Sequence, residues 1–106
     1  MIEKFGRADF AEHLNTTFRA EAGPSDVFEL ELTDVKGIDE GETGSRQERF
    51  SLMFSGPADR LYPQGTYQLE HERIGRFNLF IVPIGKASDG RPLYEAAFNR
   101  LRAEGS

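Results

Sequence analysis

The chain has no cysteine and no tryptophan, and it also lacks any long apolar run. Without cysteine there can be no disulfide framework, thiolate zinc site, iron–sulfur cluster or cysteine nucleophile. No run of about 18 apolar residues occurs, so no transmembrane helix is predicted. The first residues also lack the apolar stretch of a secretory signal. We therefore expect a cytoplasmic protein that has no membrane partner.

Positive charge is scarce as well. Thirteen lysines and arginines stand against 18 aspartates and glutamates, which gives a net charge of −5. The excess lies in residues 21–48, where nine acidic residues accompany two basic ones. Such a chain repels a phosphate backbone, and no run of basic residues supplies a local exception. We expect no nucleic-acid partner. Of the functions considered for this chain, an oligonucleotide-binding barrel is the least favoured.

Apolar and polar residues alternate in three separate segments, which is typical of strands with one buried face. The apolar sets predicted to point inward are Phe28, Leu30 and Leu32, then Phe50, Leu52 and Phe54, and finally Tyr67 and Leu69, with His71 on the same side. Ser51 falls on the opposite, outward side of the second set. The alternation predicts an antiparallel sheet, because such a sheet can face water on one side.

Two further segments and a short helix complete the predicted fold. In residues 77–84, apolar side chains occur at both odd and even positions, which favours a central strand covered on both faces. Residues 94–98 form another strand, and residues 8–14 have the spacing of a short helix that Asn15 could close in a left-handed conformation. At 106 residues the chain fits one domain, residues 1–106. The predicted class is all-β, a small antiparallel barrel or sandwich of five to six strands with a short N-terminal helix that plugs an open end or covers an edge.

The sequence contains little that indicates chemistry. His71 stands between Glu70 and Glu72, but neighbouring strand residues point to opposite faces, so we expect a buried, hydrogen-bonded histidine and no metal site. The acids around the glycine-rich residues 37–45 do not match a calcium loop, and a mobile, solvated loop is expected there. No Gly-x-Ser-x-Gly sequence is present, and no paired carboxylates are placed across a cleft. We expect neither enzymatic activity nor a cofactor.

Two functional hypotheses from different classes remain. The first is a non-enzymatic protein-interaction or assembly module that binds a protein partner, or itself, through an exposed sheet edge or an acidic face. The second is a small-ligand or metal-binding barrel that uses His13, His71, Asn99 and Arg100 at its mouth. The candidate binding residues over both hypotheses are His13, Asn15, His71, Phe80, Asn99 and Arg100.

Seven segments together resemble a small bacterial domain family of unknown function. They are HLNTTF (13–18), ELELTDV (29–35), FSGP (54–57), PQGTY (63–67), EH (70–71), LFIVP (79–83) and YEAAFNR (94–100). The resemblance covers nearly the whole chain. It implies no activity, cofactor or catalytic residue. It also links the sequence to phage-tail-like and tail-collar-type proteins, which favours a structural or accessory role.

Overall fold

The computed structural model describes residues 7–37 and 47–101. Its elements are α1 (Arg7–Ala11), β1 (Thr17–Gly23), β2 (Asp26–Gly37), β3 (Gln47–Ser55), β4 (Gly65–His71), β5 (Gly75–Lys86) and β6 (Pro92–Leu101). Apart from its first residue, the loop predicted at 37–45 lies outside the described residues. In the described part of the chain, no helix combines the length and the apolar character needed to cross a bilayer.

The six strands form one closed barrel in the order β1-β2-β3-β6-β5-β4. Every neighbouring pair is antiparallel. A short ladder between residues 19–21 of β1 and 68–70 of β4 closes the circle. The predicted fold class is thus confirmed, and of the two predicted architectures the protein adopts the barrel. Closure pairs the first strand with a distant one and so removes an open sheet edge.

The barrel interior contains the residues that alternation placed there. All nine inward positions of the three alternating segments are less than a tenth exposed, and His71 is among them. Aromatic rings cross the interior from strand to strand: Phe18 on β1 lies 5.4 Å from Phe54 on β3 and 6.2 Å from Phe77 on β5, between ring centroids. Such edge-on contacts contribute beyond the area that they bury.

The N-terminal helix is shorter than the spacing predicts. It ends at Ala11, and a turn follows in which the His13 amide donates to the Phe10 carbonyl. The chain then reverses at Asn15, whose φ of 68° is left-handed as predicted. The Asn15 amide donates to the Leu32 carbonyl, so pairing with the sheet replaces further helix. The helix still reaches the core, because Phe10 is fully buried against Phe50 and Phe98.

The left-handed backbone at Asn15 gives a first prediction. Alanine at this position should lower the free energy of unfolding by about 1 kcal/mol, because a left-handed φ brings Cβ against the following carbonyl and alanine lacks the short polar side chain that lets asparagine tolerate this backbone. Glycine has no Cβ and should retain wild-type stability. Urea unfolding of Asn15→Ala and Asn15→Gly tests the difference. Equal stability of the two variants would contradict the assignment of backbone strain.

Two predictions about outward positions are wrong. β5 is not covered on both faces, because a closed barrel has an interior but no second layer: Phe80 is 52% exposed and Ile84 is 46% exposed. Ser51, predicted to face solvent, is buried. It lies between Lys36 and Ala97 in the register of the sheet, where its short side chain is shielded from water.

The loop after β3 packs against the end of the barrel where β2 begins. Tyr62 lies in this loop, yet its ring is buried. It stacks on Phe28 with ring centroids 3.6 Å apart. Its amide donates to the hydroxyl of Tyr94, and its own hydroxyl donates to Asp26. Burial and this carboxylate raise the pKa of Tyr62. The loop is therefore tied to β2 and β6 by specific contacts.

Candidate functional site

One cleft among the described residues lies beside the start of β1 and the β4–β5 turn. Its volume is about 790 Å³. It brings together His13 and His71, two of the predicted site residues, with ring centroids 4.8 Å apart. Its lining is polar and charged: Glu12, His13, Thr16, Thr17, Arg19, Glu29, Glu70, His71, Glu72 and Arg73.

His71 forms the floor of this cleft and is only 4% exposed. Its Nδ1 lies 3.0 Å from the Arg73 amide nitrogen and 3.3 Å from that of Ile74. Both are donors, so Nδ1 must carry a lone pair, and the neutral ring then holds its proton on Nε2. Nε2–H accordingly donates to Thr16 Oγ1, 2.9 Å away, and the Thr16 hydroxyl donates to the His13 carbonyl. The prediction of a buried, hydrogen-bonded histidine is confirmed.

The surroundings of His71 lower its pKa. Burial is the main cause, because the charged ring would lose its hydration. His13 and Arg73 act in the same direction, whereas Glu72 opposes them. The Phe18 ring, centred 4.4 Å from the imidazole, forms an apolar wall. The neutral ring is therefore the form that the fold favours.

The same hydrogen bonds limit what His71 can do chemically. A metal ligand needs a free ring nitrogen, and both nitrogens of His71 are engaged. A general base for Thr16 would need a lone pair on Nε2, where this tautomer carries the proton. Within the described residues, no group of three or more His, Asp or Glu side chains is arranged to hold a metal ion. The contact between Thr16 and His71 is thus that of a structural hydrogen bond.

A row of alternating charges runs across the outer surface beside the cleft. Glu29, Arg19, Glu70 and Arg76 lie side by side on β2, β1, β4 and β5. Arg76 and Glu70 form a long, exposed ion pair at 3.8 Å, which contributes little to stability. Among the described side chains, Arg19 has no carboxylate within 4 Å. Sequence reasoning missed Arg19 and Thr16, because their neighbouring side chains are known only once the pairing of the strands is known.

A second surface follows the outer face of β5. Arg76, Asn78 and Phe80 alternate along it, and Ile84, within the register shift between Pro83 and Gly85, is exposed as well. We call these four residues the β5 stripe. Lys86 lies beyond the shift and pairs with Pro92, so it is not part of this face. Each of the other five described strands carries at least one carboxylate, whereas β5 carries none.

One edge of the strand that carries the β5 stripe is also incompletely paired. β5 and β6 are in register only from Val82 to Lys86. Residues 75–81 of β5 pair with β4 on one side, and no described residue pairs with them on the other. Phe80 therefore lies on a strand segment that has one edge unpaired by the described residues. Such an edge can accept a strand from another chain.

The remaining predicted residues are Asn15, Asn99 and Arg100, and of these Asn15 does not line the cleft. Asn15 is exposed, and its backbone conformation and amide explain its place in the turn. Asn99 and Arg100 lie near the end of β6, in register with Arg49 and Glu48 of β3. Their side chains lie outside what the structure describes.

Comparison with known proteins places the chain in a family but supplies no activity. No curated protein matches it, and no solved structure matches it. A family defined as a domain of unknown function matches residues 5–98, which is most of the chain. This agrees with the resemblance to a domain family of unknown function. The chain belongs to the DUF6916 family, a domain of unknown function.

Proposed function

We propose that this domain is a non-enzymatic protein-interaction module that docks its partner on the β5 stripe. The partner is an extended segment of another protein that carries apolar side chains and carboxylates. The observation that supports this most directly is the exposure of Phe80, at 52%, on the outer face of β5. The proposal retains the sheet-edge binding expected from the sequence and locates it on one strand.

The apolar part of the stripe supplies a reason for docking. Leaving large apolar side chains in water is unfavourable by about 25 cal/mol for each Å² of exposed apolar surface. Phe80 and Ile84 are both exposed on β5 and do not contribute to the buried core. Covering them with another chain would recover this free energy. Exposed apolar surface that a partner can cover is typical of interaction sites.

The charge of the stripe selects the kind of partner. Arg76 places a positive charge beside Phe80 on a strand without carboxylates. A segment that carries an acidic side chain next to apolar ones would match this pattern. Its backbone could also pair with the edge of residues 75–81 that no described residue occupies, because strand addition gains main-chain hydrogen bonds. These features favour an extended acidic and apolar segment over a folded basic surface.

The stripe gives a second prediction, tested with peptides. The domain is used to select binders from a displayed library of random ten-residue peptides, and we expect alternating apolar and acidic residues to be enriched. Phe80→Ser should weaken binding of a selected peptide by about tenfold or more, which corresponds to about 1.4 kcal/mol. Leu61→Ser is the matched control, because Leu61 is 64% exposed but lies in the loop before β4. Fluorescence polarisation measures the affinities.

Three outcomes would contradict the proposal. One is no enrichment at all, and another is enrichment of basic peptides. The third is an equal loss of binding in Phe80→Ser and Leu61→Ser. Light scattering over a hundredfold range of concentration provides a further check. If the protein forms an oligomer that Phe80→Ser dissociates, the occupant of the β5 stripe is a second copy of this chain and not a separate protein.

The biological setting is a further part of the proposal. The sequence resemblance supports a structural or accessory role in a bacterial assembly, such as a phage-tail-like one. An extended segment of a neighbouring component would then be the occupant of the β5 stripe. Binding of a selected peptide that also occurs in a component of such an assembly would support this setting.

The cleft with His13 and Arg19 supports a second candidate function, the binding of a small polar ligand. Its volume of about 790 Å³ falls within the usual range for ligand sites. Arg19, which has no carboxylate within 4 Å among the described side chains, and the partly exposed His13 would make the contacts. Thermal shift against metabolites tests this: a ligand at 100 times its dissociation constant should add about 2.7 kcal/mol. No stabilisation by any compound would leave this candidate without support.

A further inference from the structure

His71 joins two turns that are distant in the sequence. Through Nδ1 it accepts the Arg73 and Ile74 amides of the β4–β5 turn. Through Nε2 it donates to the Thr16 hydroxyl, which in turn donates to the carbonyl of His13 in the turn before β1. The imidazole is thus the central link of one hydrogen-bonded chain between the two turns.

Protonation is incompatible with this arrangement. A charged imidazole carries hydrogen on both nitrogens, so Nδ1 would present an N–H to the two amide N–H groups that it now accepts. Neither amide has another acceptor among the described residues. The bonds to the β4–β5 turn would therefore be lost together, and the ring would have to move.

We propose that His71 is a proton-sensitive latch: the neutral ring holds residues 12–16 and 72–74 together, and the protonated ring releases them. The release is local, because the strand ladders on either side do not depend on this ring. It would loosen the start of β1 and the start of β5 and give water access to Phe18 and Ile74. This inference stands independently of the proposed docking on β5.

The charged groups around the ring set the direction of the response. His13 faces it from the turn before β1, while Glu72 and Arg73 face it from the β4–β5 turn. Glu12, Arg19, Glu29 and Glu70 line the rest of the cleft. Burial, His13 and Arg73 lower the pKa of His71 below its usual 6.5, and Glu72 opposes them only in part. Unfolded chains therefore take up this proton at a higher pH than folded ones, so stability is full above about pH 6.5 and is lost as pH falls through the folded pKa.

NMR on the wild-type protein is the first test. At about pH 7.5, nitrogen shifts of the His71 ring should identify the Nε2–H tautomer. On acidification, the amides of Thr16, Arg73 and Ile74 should shift together with one midpoint below that of a free histidine. Between about pH 7 and 5, their protection against hydrogen exchange, corrected for intrinsic rates, should fall roughly tenfold more than that of the β3–β6 ladder. An Nδ1–H tautomer, or amides that do not respond to pH, would overturn the latch.

Two variants separate His71 from its neighbour. In His71→Asn, the side-chain oxygen can accept the amides of the following turn but cannot be protonated, so the transition should vanish. In His13→Gln the transition should persist, with its midpoint moved upward because a nearby positive charge is removed. The reverse pattern, with the transition lost in His13→Gln and kept in His71→Asn, would assign the response to His13 and contradict the proposal.

Discussion

Replacing Phe18 by alanine is expected to lower the free energy of unfolding by about 3–5 kcal/mol. The Phe18 ring is fully buried and contacts side chains from three other strands: Phe54, His71 and Phe77. Its removal would leave a cavity in the middle of the barrel, and the strand ladders around it limit how far the barrel can collapse to fill that cavity. Such a loss is a large part of the 5–15 kcal/mol that stabilises a typical domain. Urea unfolding, followed by circular dichroism, measures the change.

Phe80→Ala is the matched control for this prediction. It deletes the same atoms from a ring that is 52% exposed on the outer face of β5. We expect it to cost less than about 1 kcal/mol, in line with surface substitutions. Losses of similar size in Phe18→Ala and Phe80→Ala would mean that the interior packing described above is wrong.

Replacing Gly56 by alanine is expected to cost about 1–3 kcal/mol. A Cβ at this position would lie 2.8 Å from Cε1 of Tyr94 and 3.5 Å from Cδ2 of Leu30. The Tyr94 ring is fully buried, so it cannot swing into solvent to make room. Its hydroxyl also accepts the Tyr62 amide, and any shift of the ring would weaken the bond that ties the loop to the barrel.

Gly23→Ala is the control for the glycine substitution. Nothing lies within 4 Å of a Cβ built at Gly23, and its φ is not left-handed. Alanine there should be neutral or should stabilise by a few tenths of a kcal/mol, because it restricts the unfolded chain. Thermal unfolding of both variants provides the comparison. A Gly56→Ala protein as stable as Gly23→Ala would show that the ring of Tyr94 is not held in place.

The site illustrates how far sequence reasoning reaches. Strand parity correctly predicted that His71 points inward, because adjacent side chains on a strand must diverge. It could not predict the contact with Thr16 and His13, since these residues come from a turn that only the closure of the barrel brings to β4. Nor could it identify Arg19, whose neighbours Glu29 and Glu70 lie on two different strands.

The outer face of β5 shows why one prediction failed. A run that is apolar on both parities is typical of a strand covered by a layer on each side. The described residues form no outer layer over β5, and the apolar residues Phe80 and Ile84 remain exposed. The pattern alone did not distinguish a strand covered on both faces from a strand with an exposed outer face.

The sequence by itself determined the class of structure and the inward faces of its strands. Both follow from local geometry, because the two-residue period of a strand and the turn residues between strands are properties of short segments. The tertiary structure alone decided the strand order, the closure into a barrel, the exposure of Phe80 and the hydrogen bonds of His71. These depend on which distant segments become neighbours, and that choice is made by the packing of the whole interior.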